Sequence, residues 1–169
     1  GNHVSNYDPI ATMYAFRKWN PAFISKASNF KLPWVGRFVR RCCFMDIDRE
    51  NPRNAIVTIN RAAELLRNQE VSIGVYPEGT RSKTGQLLPF HNGVFKIAQK
   101  AQVPIVVCTL KGTKDVLPNL AKLKRSDVLV SVLTVIQPEE FENVTTVDLA
   151  NRIHKIMADD LGPDEVAQD

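Results

Sequence analysis

Gly93-Val94-Phe95-Lys96-Ile97-Ala98-Gln99-Lys100-Ala101-Gln102-Val103-Pro104-Ile105-Val106-Val107-Cys108-Thr109-Leu110 sets a helical segment directly against an unbroken apolar run. Residues 93–102 carry apolar side chains at helical spacing, whereas Pro104 to Leu110 alternates with nothing polar until Thr109. A strand that is apolar along its whole length belongs inside a sheet covered on both faces, and parallel sheets are the usual place for it. The same unit recurs upstream. Val71 to Tyr76 reads as a strand preceded by a helix that starts at Asn51-Pro52 and places Ala55, Ile59, Ala62 and Leu66 on one stripe.

Working outward, Cys43 to Ile47 reads as a strand ending at Asp48-Arg49, and Ala22 to Ser25 as a shorter one. Asp8-Pro9 reads as an N-cap followed by the first helical residue, with the helix running from Ile10 to Trp19 until Pro21 stops it. Beyond the central unit, Val128 to Ile136 is another apolar strand, and Thr145 to Leu161 a terminal helix with Val147, Ile153 and Ile156 among its apolar positions. The reading is a single α/β domain over residues 1–162, a mostly parallel mixed sheet covered by helices on both faces. Residues 163–169 are expected to fray as an acidic tail.

At 169 residues the chain is long enough for one real core, and its ordinary apolar and charged fractions exclude disordered and collagen-like classes. No apolar run approaches the roughly 20 residues of a membrane-spanning helix. The three cysteines, Cys42, Cys43 and Cys108, lack metal-ligand spacing, and two are adjacent, which argues against a disulfide framework and for a reducing compartment. The net charge of +4 is unevenly placed, since seven basic residues and no acidic one lie between Pro9 and Met45. Such a field favours anionic partners. Residues 31–41 read as a basic helix in which Arg37, Arg40 and Arg41 flank Trp34 and Phe38, either an interfacial helix or a core-facing one with a solvated face. With few aromatics and no recognition module, nucleic acid is not an expected partner.

Chemistry concentrates in two places. Asn2-His3-Val4-Ser5-Asn6-Tyr7-Asp8 separates an imidazole and a carboxylate by five positions, opposite faces on an ideal helix. Contact requires the histidine to sit in the loop before the helix, with Asp8 at its start. Two readings fit: Asp8 merely caps a helix beside an ordinary loop histidine, or it orients the imidazole as a base. The second place is Tyr76-Pro77-Glu78-Gly79-Thr80-Arg81, where a glycine after a strand frees backbone amides and aims a guanidinium outward. A solvated Glu78/Arg81 turn is the alternative, as an Asp48/Arg49 surface pair is for Arg49. His91 and His154 have no evident partners in sequence and read as structural or surface residues.

In this order and with these separations, the set resembles the glycerolipid acyltransferase family typified by 1-acylglycerol-3-phosphate acyltransferase. Asn2 to Asp8 looks like its H-x4-D block, Gly36 to Arg49 is similar to its second block, Tyr76 to Arg81 matches its third, and Val103-Pro104-Ile105-Val106-Val107 resembles its fourth. The fourth block commonly ends in a second proline, where this chain has Val107. The resemblance implies a glycerol-3-phosphate acyltransferase-like fold, with His3 as general base and Asp8 as its orienting acid. It further implies that Arg49, Glu78, Gly79, Thr80 and Arg81 hold the acceptor phosphate and that Val103 to Val107 shape the acyl-donor region. The implied reaction moves an acyl group from acyl-CoA or an acyl-carrier protein to lysophosphatidic acid, giving phosphatidic acid. Neither metal nor cofactor is called for, because a thioester is already activated.

The implied place of work is an anionic membrane surface at the cytoplasmic face of the cell membrane, with Trp34, Phe38, Arg37, Arg40 and Arg41 as membrane-facing candidates. A catalytic histidine on a frayed end would be hard to hold, so an upstream segment, able to carry an anchor, is expected before Gly1. Three alternatives stay open: acylation of glycerol-3-phosphate or another lysophospholipid, a lipid-binding module without catalysis, and a hydrolase using the same base.

Overall fold

The computed structural model describes residues 1–26, 37, 45–47 and 52–167. The chain forms α1 (Asp8–Ala15), β1 (Pro21–Lys26), β2 (Met45–Ile47), α2 (Pro52–Arg67), β3 (Ser72–Gly74), α3 (Lys96–Ala101), β4 (Ile105–Lys111), α4 (Val116–Ala121), β5 (Leu129–Ile136) and α5 (Thr146–Leu161). Short 3₁₀ turns, including Asn92–Phe95 ahead of α3, join them. Of the segments read from sequence, the basic helix of residues 31–41 lies outside the described residues except for Arg37, which is helical and exposed.

The expected α/β domain is present, but its described strands form two hydrogen-bonded groups. β1 pairs in parallel with β2 on one side and β3 on the other, and β4 pairs antiparallel with β5 through a bulge at Val107/Cys108. The reversal at β4–β5 has a local cause. A parallel return needs a crossover helix laid across the sheet, yet α4 is one and a half turns long and holds Leu117 and Leu120 in solvent. At the root of this excursion Gly112, at φ 81°, lies so close to the returning strand that a Cβ there would sit 2.1 Å from the Asp127 carbonyl oxygen. Only glycine fits that approach.

The helices form where their stripes predict. On α2, Ile59 and Ala62 are buried while Ile56 and Val57 are exposed. Beyond its end at Arg67, the left-handed φ of 56° at Gln69 lets the amides of Gln69 and Glu70 cap the carbonyls of Leu66 and Leu65. Thr145 caps α5 by accepting the Asp148 N–H at 3.1 Å, worth about 1 kcal/mol. Leu149, Ile153 and Met157 of α5 then close over Leu87, Phe95, Val107, Ile136 and Phe141, each large apolar side chain contributing about 1.5–3 kcal/mol. Val147, expected on that stripe, is instead exposed.

The expected frayed tail is pinned as far as Ala167. Leu87 bridges Val166, donating its N–H to Glu165 and accepting that of Ala167, because Leu87 and Val166 share the apolar cluster under α5. Between β3 and β4, the outer strands of their groups, lies a cavity of about 710 Å³ lined by both, by Phe23 and by Gly1 at the entrance of the chain.

Candidate active site

His3 precedes α1 in an extended loop, and its Nδ1 lies 2.8 Å from Asp8 Oδ2. The sequence argument required this arrangement, but the detail differs. Tyr7, not Asp8, occupies the cap position, and Asp8 is the first helical residue. Its carboxylate turns back on the loop instead of into the helix: Oδ2 also accepts the N–H groups of Val4 and Ser5, both at 2.7 Å. Oδ1 accepts the Thr113 hydroxyl at 2.5 Å. A carboxylate has about four acceptor positions, so this fully buried acid is filled.

The rest of the loop is held as firmly. Asn2 is buried, giving its side-chain N–H to the Leu110 carbonyl at 3.0 Å and accepting the Leu110 N–H at 2.7 Å, so that one amide bridges the chain start to β4. The terminal amino group donates to the Val75 carbonyl at 3.1 Å. The His3 ring stacks on Tyr76, with centroids 4.5 Å apart and planes 14° from parallel. Tyr76 in turn meets Thr12 Oγ1 through its hydroxyl at 3.0 Å, and burial holds that phenol well above its usual pKa. His3 Nε2 has no partner among the described residues.

Glu78 departs from its expected place in a phosphate site. It is 2% exposed, one oxygen accepting the His3 backbone N–H at 2.6 Å and the other the Leu88 N–H at 2.9 Å. Burial pushes its pKa up to about 7, against the downward pull of those two amides. Buried and turned onto these two backbone amides, the carboxylate braces the histidine loop, and its charged form would repel a phosphate. Gly79 takes φ 72°, and beyond it Thr80 and Arg81 are exposed, with no partner for the guanidinium among the described residues. The turn is tied to the histidine loop a second time, since the Ser82 N–H donates to the His3 carbonyl at 2.8 Å.

Arg49 lies outside the described residues, as do Trp34, Phe38, Arg40 and Arg41. Val103 to Val107 line the cavity between β3 and β4, whose far wall includes Gly1 and Tyr76, so it reaches the residue against which His3 stacks. His91 is exposed beside the arginine turn, its N–H donating to the Pro77 carbonyl at 2.9 Å, and His154 meets the Phe90 ring edge-on at 4.8 Å. Sequence reasoning missed three holders of the site, Asn2, Thr113 and the inward Glu78. Asn2 and Glu78 lie within the two recognised motifs, Glu78 having been read there as a ligand contact, whereas Thr113 is 105 residues from its partner.

The sequence pattern of the acyltransferase family matches residues 1–111, close to two thirds of the chain and the span that holds the histidine loop, the arginine turn and β4. The chain belongs to the acyltransferase family. Among its relatives, the 1-acyl-sn-glycerol-3-phosphate acyltransferase of Cocos nucifera is 31% identical over 161 residues, 95% of this chain and 52% of that protein. The Haemophilus influenzae protein of the same name is 29% identical over 157 residues, 93% of this chain and 65% of that one. The crystal structure of the 1-acyl-sn-glycerophosphate (LPA) acyltransferase PlsC from Thermotoga maritima superimposes with a TM-score of 0.71 at 26% identity, covering 95% of this chain and 62% of that one. The chain thus spans 52 to 65% of the length of these relatives.

Proposed function

We propose that this acyltransferase-family chain transfers a fatty acyl group from an acyl thioester to the sn-2 hydroxyl of lysophosphatidic acid, forming phosphatidic acid. The observation that carries the reading is the His3–Asp8 pair, an imidazole oriented by a buried, fully hydrogen-bonded carboxylate with its outer nitrogen free. In the tautomer with Nδ1–H donating to Asp8, Nε2 is the base. It takes the hydroxyl proton as the oxygen attacks the thioester carbonyl, and the tetrahedral intermediate expels a thiolate that recovers the proton from the imidazolium. Such catalysis contributes about 10²- to 10⁴-fold. Holding both reactants at the histidine supplies several kcal/mol more.

The exposed Arg81 supports a phosphate-holding role, with Arg49 as its second clamp in the family pattern. The apolar cavity lined by Val103 to Val107 supports a seat for the acyl chain of an acyl-CoA or acyl-carrier-protein donor. The names of the relatives support lysophosphatidic acid over glycerol-3-phosphate as acceptor, and the basic charge supports work at the cytoplasmic face of a membrane. Thiol release from acyl-CoA, measured across a panel of lysophosphatidic acid, glycerol-3-phosphate and neutral lysophospholipids, tests the reading. Turnover is expected with the first. Fatty acid without phosphatidic acid would make the protein a hydrolase, and lipid binding without thiol release a non-catalytic module.

A further inference from the structure

The excursion between β4 and β5 spends ordered structure on keeping leucines in water. Leu117, Leu120 and Leu123 are 61, 59 and 94% exposed, and Leu129 at the start of β5 adds a fourth. Leu117 and Leu120 share one face of α4, three residues apart. Leu123 follows at a left-handed φ of 51°, where its N–H caps the Leu120 carbonyl. The segment is built, not frayed. Asn119 donates to the Arg125 carbonyl at 3.3 Å and to Ser126 Oγ at 3.1 Å, Ser126 donates to the Asp115 carbonyl, and Gly112 packs against the Asp127 backbone.

Cations accompany the leucines. Lys114, Lys122, Lys124 and Arg125 are exposed, against the two carboxylates Asp115 and Asp127, the latter paired with Arg125 at 2.8 Å. Exposed leucines interleaved with lysines suit a surface that is apolar beneath and anionic on top, which a bilayer is and a soluble protein partner rarely is. The position of the segment adds a reason. It begins at Thr113, whose hydroxyl holds Asp8, so whatever Leu117 touches lies a few residues from the acid that orients His3.

We infer that residues 114–129 form the platform by which the protein docks on an anionic lipid bilayer, presenting its site to a lipid acceptor without a transmembrane segment from the described residues. The inference rests on the reading of the acceptor as a membrane lipid, but its test does not need turnover. Cosedimentation with vesicles of phosphatidylcholine mixed with phosphatidylglycerol, against phosphatidylcholine alone, reads the partition directly. The chain is expected to favour the anionic vesicles. Leu123→Asp, at a side chain that packs on almost nothing, lowers partition about tenfold with an unchanged melting temperature. Leu117→Asp/Leu120→Asp lowers it further, and Lys122→Gln/Lys124→Gln by about fivefold per charge, a loss that added salt reproduces in the parent.

Parent-like partition of Leu123→Asp and Leu117→Asp/Leu120→Asp overturns the inference, as does a parent chain that ignores anionic vesicles. Sedimentation velocity covers the remaining occupant: a dimer that Leu123→Asp dissociates, with vesicle binding intact, makes the platform a contact between copies instead. Vesicle binding that depends on the leucines in a chain that acylates no lipid would leave the platform standing and remove only the acceptor assignment.

Discussion

The histidine loop and the arginine turn belong to one site, joined by the His3 backbone bonds to Glu78 and Ser82, yet they are finished to opposite degrees. Around His3 the holding groups are filled: Asp8 takes four hydrogen bonds and Asn2 bridges both backbone groups of Leu110, which leaves His3 Nε2 open among the described residues. Two residues past Glu78, Thr80 and Arg81 stand in solvent. A base works only in one tautomer and one direction, so it is fixed in advance. A cation that is to close on a phosphate gains most if nothing within the protein already holds it, and solvent makes its waiting charge cheap to keep.

The largest break in that contrast is His3→Ala, which is expected to lower kcat by about 10²- to 10⁴-fold while leaving the fold intact. Near-parental thiol release would remove His3 as the base. Arg81→Ala comes next. Loss of a charged hydrogen bond of about 1.5–3 kcal/mol raises the acceptor KM by roughly 10- to 100-fold with little change in kcat. An unchanged acceptor dependence would take Arg81 out of the phosphate site.

A smaller effect sharpens the filled side. Thr113→Val keeps the shape but strips a buried donor from Asp8, so urea melts are expected to show a loss of about 1–3 kcal/mol, recovered by Thr113→Ser. If Thr113→Val melts like the parent, the link is not a support of the site. The least effect is a slope. Glu78 binds its proton more tightly folded than unfolded, with a pKa raised from 4.5 to about 7. Its favourable contribution is therefore fully present below about pH 4.5 and fades as pH rises through about 7. Glu78→Gln is expected to flatten that part of the stability profile. A parental slope in the variant would assign it to another group.

How much of this could be read in advance depended on distance along the chain. His3 and Asp8 are five apart, and local geometry alone required a loop histidine beside a helix start. The stripes of α2 and α5 were legible for the same reason. The antiparallel return of β5 was not, because apolar strands look alike in either direction and the deciding fact is that α4 leaves its leucines uncovered. Glu78 misled because an acid beside an arginine in a glycine turn looks like a ligand contact, whereas its burial depends on Leu88 and on a loop 75 residues earlier. Thr113 gave no local signal at all. A threonine after a glycine has too many ordinary uses for its partner to be guessed.

The Asp8–Thr113 hydrogen bond also fixes when the site comes into being. The base and its acid lie five residues apart, but the hydroxyl that completes the acid lies 105 residues downstream, and the β4 backbone that clamps Asn2 is 108 away. Closing loops of that length is slow and is rewarded only once the sheet edge exists to receive them. A growing chain thus carries its histidine unaimed until Leu110 and Thr113 have been added, and the site is completed only when those long-range contacts close.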